Sequence, residues 1–513
     1  MLTDIQVSQR VAPYTEALER FADANPQSLM VPGHGCTPNA GGDHLAQVFG
    51  ERLVQLDVPL MLDGIDLGSD SPLAQAQRLA AEAWGARRTW FLTNGASQGN
   101  RTAAFAVRGL GERVLMQRSS HSSFTDGVLL AGLIPAFIAP NVDHEHGIAH
   151  GLTPEALGEA LATEAEAGRD VHSVYVVSPS YFGSTADVAG LARVAHSHGA
   201  ALIVDGAWGA HFGFHEDLPE SPAKLGADLV ISSTHKLAGS LTQSAMLHLG
   251  ETEFADRLEP LVARSYTMTS STSASAILMG SLDAARHALV NKHDEIGEAI
   301  RLSEALRDRL RLSEHYSVIS DGFGAFPDIV ATDPLRIPID VSRLGQSGHW
   351  VRDRVIAEHG VYFEMSTATA IVAVIGALAA PDLDRVMAAL EEVAAESDAL
   401  RGDTAAAGVS EGNTTAFPEL PEAGTLRMLP RAAYFAESIV VTAHQAIGQI
   451  SADTLAAYPP GIPNLVPGEE ITEETVTFLQ AVAASPTGFV RGAADPLVAT
   501  FRVVRDPLTA SAN

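Results

Sequence analysis

Among the 513 residues there is a single cysteine, Cys36. One thiol excludes any disulfide within the chain and agrees with a reducing, cytoplasmic setting. Positive charge is also scarce, with Lys+Arg 33 against Asp+Glu 62 and a formal net charge of −29. Such a chain repels phosphate backbones, which argues against a general affinity for nucleic acid. A cationic small substrate is compatible with that charge, although solubility accounts for it equally well. Long apolar runs are missing too. The longest, around residues 128–140 and 370–381, are interrupted by Gly and Pro. They fall short of the roughly 20 residues that a membrane span needs. The opening MLTDIQVSQRVAPY has no basic stretch leading into an apolar one, so no secretory leader is expected.

What the chain does have is an ordinary globular composition, 46% hydrophobic and 19% charged. That excludes a disordered chain and predicts sizeable cores. Its length corresponds to about three domains. No internal repeat or low-complexity tract stands out. From about residue 75 to 250, short β-rich runs alternate with amphipathic segments. Strands are expected at 89–93, 113–117, 172–177, 201–205, 228–232 and 244–249, with helices at 95–108 and 187–198. Continuous apolar strands separated by helices imply an α/β domain around a mostly parallel sheet covered on both faces. Ligands of such sheets lie beyond the carboxyl ends of the strands.

After residue 270 the pattern turns helical, with more than one helix expected across 274–312. Mixed structure follows at 317–366, and an amphipathic helix at 382–400. Residues 401–415 read as a linker, and 416–513 as a smaller unit. Within it the run YPPGIPNLVPG (458–468) is six-elevenths Pro and Gly. It is expected to be an ordered loop or a chain of turns, because Pro cannot serve a helix or a central strand.

The chemistry-bearing residues gather at the predicted strand ends. Lys236 is one of only three lysines, with Lys224 and Lys292. A lysine at the mouth of a sheet is a candidate Schiff-base nucleophile, because partial burial favours the free amine that attacks a carbonyl. Taken alone it reads as a loop lysine. Asp205 ends the apolar run ALIVD, and a carboxylate there needs a partner, which a protonated pyridine nitrogen would provide. A helix cap or salt bridge is the plainer alternative. Gly95, Ala96 and Ser97 lie between a strand and a helix, where free N–H groups and a hydroxyl suit a phosphate. His121, after another strand, could stack on a planar ring. Phosphate site, ring, carboxylate and lysine thus come in chain order on one sheet edge, the set that pyridoxal 5′-phosphate (PLP) requires. Asp143-His144-Glu145-His146 has the look of a metal cluster, but histidines two apart in a Gly-flanked loop are expected to be solvated, and no metal is expected.

On these residues the chain resembles the bacterial ornithine/lysine/arginine decarboxylases, in particular the shorter members without an N-terminal wing domain. Asp205-Gly206-Ala207-Trp208 followed by Ser233-Thr234-His235-Lys236 is similar to that family's cofactor core. The run 458–468 with Glu469 resembles its carboxy-terminal signature. Ser270–Ser275 with GSLDAAR (280–286) resembles a segment that reaches the neighbouring subunit's cofactor. The resemblance implies PLP fold type I, the aspartate-aminotransferase fold. Its implied organisation is an amino-terminal segment (1–30), a PLP-binding large domain (31–292), a small α/β domain (293–400), the linker, and a C-terminal domain. Lys236 would carry the cofactor, Asp205 would pair with its ring nitrogen, and His121 and Ala207 would cover its two faces. Ser97, Ser233, His235 and the backbone near Gly95 and Ala96 would hold its phosphate. Glu364, in Val361-Tyr362-Phe363-Glu364, is by its charge a candidate partner for a basic side chain of the substrate, with an exposed surface carboxylate the equal alternative. The implied activity is decarboxylation of a basic L-amino acid in the polyamine metabolism of the cytoplasm, arginine slightly ahead of lysine or ornithine, by at least a homodimer. No nucleic-acid or membrane partner is implied. Another reaction of the same fold, transamination or elimination, stays open, as does a non-catalytic homologue. Ala96, Gly206, Trp208 and Ala276 depart from the family pattern.

Overall fold

The computed structural model describes residues 8–38, 43–406, 421–458, 462–485 and 488–505. At its centre is a seven-stranded sheet: β1 (Arg88–Leu92), β2 (Arg113–Gln117), β3 (Ile134–Ile138), β4 (Ser173–Val177), β5 (Ala201–Asp205), β6 (Leu229–Ser232) and β7 (Ala245–Leu249). Their spatial order is β1-β7-β6-β5-β4-β2-β3. Only β7 runs against its neighbours; the pairs from β6 across to β3 are parallel.

The apolar runs are continuous because both faces are covered. Side chains alternate along each strand, so Ile203 joins one core while Leu202 and Val204 join the other. Helix Gly95–Val107 packs on the first face through Ala103 and Ala104. Helices Pro154–Glu166 and Val188–Ser197 cover the second through Leu157, Leu161 and Leu191. Parallel strands also bring the ends of β1, β2, β5 and β6 to one edge, which places Gly95, His121, Asp205 and Lys236 on the same side of the sheet.

Helices Ala276–Asn291 and His293–Arg311 lead into a four-stranded antiparallel sheet. That sheet is built on Arg336–Asp340 and Ala370–Val374. Helices Gly348–His359 and Leu383–Ala406 flank it, and its core is continuous with helix Pro13–Asp23. The carboxy-terminal unit pairs Ser438–Thr442 with Thr500–Val504 and packs helix Glu473–Ala484 against a three-stranded sheet. Among the described residues no helix is long and apolar enough to cross a membrane.

Two expectations are corrected, the Pro/Gly run and the linker. The Pro/Gly run is not a chain of turns: Leu455–Tyr458 and Ile462–Leu465 pair as antiparallel strands, while 459–461 lie outside the described residues. Pro463 is tolerated because its strand is at the edge of the sheet and sits beside a register irregularity at Leu455/Ala456, the two places where a sheet accepts proline. The expected linker 401–415 starts inside a helix that runs to Ala406, and the rest of it lies outside the described residues. In the GSLDAAR segment, Asp283 and Arg286 are fully buried within their own chain. Asp283 accepts the N–H groups of Tyr14 and Thr15, and Arg286 donates to the carbonyls of Gln9 and Val11. This pair anchors the amino-terminal helix. Asp143 is buried too; it accepts the N–H groups of Glu145 and His146 and closes the turn that carries them.

Candidate active site

The phosphate-type turn is formed where β1 passes into helix Gly95–Val107. Gly95 has φ +72°, a conformation that L side chains rarely adopt, and its N–H donates to the Gln243 carbonyl at 2.8 Å. Asn94 makes no side-chain capping bond, and Ala96 and Ser97, whose N–H groups belong to the open first turn, line the cavity. After β2, His121 caps helix Ser122–Ala131: its Nδ1 accepts the Ser123 N–H at 3.2 Å and lies 2.8 Å from Ser123 Oγ. Burial, reinforced by Lys236 and Arg491 against the pull of Asp205, lowers its pKa. Burial thus favours the neutral ring, with Nδ1 as the acceptor.

Asp205, at the end of β5, is 4% exposed. Its Oδ2 accepts the Tyr175 hydroxyl at 2.6 Å and Asn100 Nδ2 at 3.0 Å, and its Oδ1 accepts the Ala207 N–H at 3.1 Å. Tyr175 projects from β4 and stacks on Phe124 at 3.6 Å between centroids. Burial first, then the neighbouring Asp205 charge, push its pKa well up, so it remains a donor. Asn100 also donates to Ser123 Oγ at 2.9 Å. A chain of hydrogen bonds therefore joins His121 to Asp205 through Ser123 and Asn100.

Lys236 lies in a single helical turn, Thr234–Leu237, after β6. Its Nζ is 3.6 Å from the centroid of the Trp208 ring. Burial lowers its pKa to about 8, with Arg336 adding to the effect while Asp205 and Glu364 oppose it. Arg336 has no exposed surface; its Cζ is 3.8 Å from the same Trp208 ring and its Nη2 donates to the Tyr181 carbonyl. Arg336 Nε and Nη1 and Trp208 Nε1 are buried with no hydrogen-bond partner among the described residues. His235 Nδ1 donates to the Ser244 carbonyl at 2.9 Å, and burial lowers its pKa.

One cavity of about 190 Å³ is lined by all nine expected cofactor residues: Gly95, Ala96, Ser97, His121, Asp205, Ala207, Ser233, His235 and Lys236. Glu364 does not line it; it is exposed, yet its charge is felt at Lys236, His235 and Arg336. PLP fits this donor set. Open N–H groups and hydroxyls suit a phosphate at one end, a fixed carboxylate suits a ring nitrogen, and an amine of lowered pKa suits an aldehyde. The orphaned Trp208 Nε1, on a residue that lines the cavity, would be a further donor available to an oxygen of such a group. Sequence reasoning missed Asn100, Tyr175 and Arg336, and it treated Trp208 only as a departure. A tyrosine flanked by valines in the SVYVV strand was the available signal for Tyr175. Arg336 had none, being 100 residues from Lys236 in the chain.

Residues 12–335 match the family model described as Orn/Lys/Arg decarboxylase, major domain, and 414–489 match its C-terminal domain. An arginine decarboxylase of Bacillus subtilis (strain 168) is 34% identical over 511 residues, covering 98% of this chain and 99% of that protein. Lysine decarboxylase LdcA of Pseudomonas aeruginosa is 25% identical and covers 91% of this chain and 75% of its own length. The solved structure of lysine decarboxylase A from Pseudomonas aeruginosa superposes with TM-score 0.80 at 22% identity, over 97% of this chain and 81% of that one. The fold is PLP fold type I, and the chain belongs to the Orn/Lys/Arg decarboxylase family of amino acid decarboxylases.

Proposed function

We propose that this protein is a PLP-dependent decarboxylase of a basic L-amino acid, with arginine its preferred substrate, acting in the cytoplasm as at least a homodimer. The observation that carries this reading is the meeting of Lys236, Asp205 and the Gly95–Ser97 turn in one cavity. Lys236 would hold the cofactor covalently and Asp205 would meet its ring nitrogen, with His121 and Ala207 on its two faces. Ser97, Ser233, His235 and the helix start at Gly95 and Ala96 would hold the phosphate. When bound, PLP supplies an electron sink for the pair left behind as CO₂ departs.

The chain's own residues do the rest. Tyr175 and Asn100 fix the Asp205 carboxylate, so its charge points where a protonated nitrogen is to be kept. Lys236, with a pKa of about 8, is free amine often enough at neutral pH to attack, and can return a proton once displaced. His235 donates its Nδ1–H to the Ser244 carbonyl, so it would need a second proton, on Nε2, to donate to a phosphate. Glu364 would meet the distal cation of the substrate. The arginine preference rests on the full-length 34% identical relative, an arginine decarboxylase.

The test is a panel of arginine, lysine and ornithine with products identified by mass spectrometry. CO₂ and agmatine at the highest kcat/KM are expected, and Lys236→Ala should lose both the covalent cofactor and turnover. A keto acid or ammonia in place of CO₂ would overturn the reading. So would a wild-type protein that shows no visible cofactor band after PLP is added.

A further inference from the structure

The carboxy-terminal unit grips the large domain on both sides of His121. On one side is Arg118, the residue after β2. Its Nη1 and Nη2 donate to Oε1 and Oε2 of Glu469 at 2.6 and 2.9 Å, and Nη2 also reaches the Asn464 carbonyl at 3.0 Å. The Arg118 guanidinium lies 4.6 Å from the Phe137 ring centroid. Glu469 is fully buried, and its Oε2 accepts the Val466 N–H at 3.0 Å, so the carboxylate is itself held rigid. On the other side, Arg491 donates to Ser122 Oγ and lies 3.9 Å from Asp126. Only Ser119, Ser120 and His121 stand between the two gripped residues.

A buried ion pair is not by itself a gain in stability, because desolvating both charges offsets their attraction. Its placement is the informative part. Two separate contacts from one domain bracket the five-residue loop whose single aromatic ring faces the cavity. We propose that Glu469 and Arg491 are positioning residues: by clamping loop 118–122, the carboxy-terminal domain sets the plane of His121 against the cofactor. This rests on the reading of His121 as the stacking ring.

A double-mutant cycle on PLP binding to the apoprotein tests it, using wild type, Glu469→Gln, His121→Ala and the double variant. Glu469→Gln should weaken PLP binding about tenfold in the wild-type background and less than about twofold once His121 is gone. Amide exchange in the apoprotein should rise across 118–123 and stay unchanged in β5 and β6. Arg491→Gln, on a half-exposed side chain, should show the same non-additivity at smaller size and serves if Glu469→Gln fails to fold. Equal losses in both backgrounds would overturn the proposal and leave the contact as plain domain adhesion. A wild-type apoprotein that does not bind PLP would instead overturn the functional reading itself.

Discussion

Lys236 should capture PLP with a pH dependence that an exposed lysine cannot show. Its pKa is lowered from 10.5 to about 8 by burial, with Arg336 as the like-charged neighbour. At pH 7 a group of that pKa is free amine in roughly one molecule in ten, against roughly one in three thousand for an unshifted lysine. Capture at neutral pH should therefore run some 300-fold faster than by an ordinary lysine in the same geometry. The rate should climb about tenfold per pH unit up to about 7.5 and level off above about 8.5. Stopped-flow mixing of apoprotein with PLP between pH 6 and 10, read at the visible band of the bound cofactor, measures this. Repeating it with pyridoxal, which lacks the phosphate, removes the phosphate's own titration near pH 6. Arg336→Gln should move the plateau to higher pH. The sign for stability follows: the unfolded chain binds more protons between about pH 8 and 10.5. The apoprotein should therefore gain stability as pH rises through that window and gain nothing from this group below it. A capture rate still climbing at pH 10 would refute the argument, because Lys236 would then be an ordinary lysine.

Other residues give separate tests. Tyr175→Phe removes the 2.6 Å donor to Asp205, so kcat should fall roughly tenfold with KM little changed; an equal loss with a neutral Asp205→Asn partner would contradict that route. Glu364→Gln should raise KM for arginine about tenfold or more while leaving kcat within a few-fold, and unchanged steady-state constants would remove Glu364 from the substrate site. Arg286→Met leaves Asp283 buried without its partner, which should cost about 3 kcal/mol and release the amino-terminal helix, seen as a lower Tm and faster amide exchange across residues 13–23.

The central sheet was legible because both its faces are covered. The runs at 113–117 and 201–205 coincide with β2 and β5, since a strand buried on both sides needs hydrophobic residues on both faces, as at 114–116 and 201–204. The strand expected at 89–93 lies one residue earlier at both ends, and that expected at 228–232 starts one residue later, because capping and turn geometry decide such boundaries. The Pro/Gly run was misread for a related reason. Its composition does exclude a central strand, but an edge strand asks for only half the hydrogen bonds, and Ile462–Leu465 occupies such an edge.

The same reasoning separates the site residues that were legible from those that were not. Gly95–Ser97, His121, Asp205 and Lys236 each follow a strand, and parallel strands deliver their carboxyl ends to one edge, so chain order alone places them together. Asn100 is one helical turn beyond Ala96 and therefore looks like helix interior, while Tyr175 sits mid-strand and looks like core. Both are fully packed, and both spend their polar atoms on Asp205. Arg336 arrives from another sheet altogether, its backbone carbonyl held by Arg307 at 2.6 Å and its guanidinium against Trp208. Sequence pattern reports which groups a sheet edge will present to a ligand. The groups that orient those groups are buried, and buried polar residues are disguised as core until the hydrogen bonds are seen.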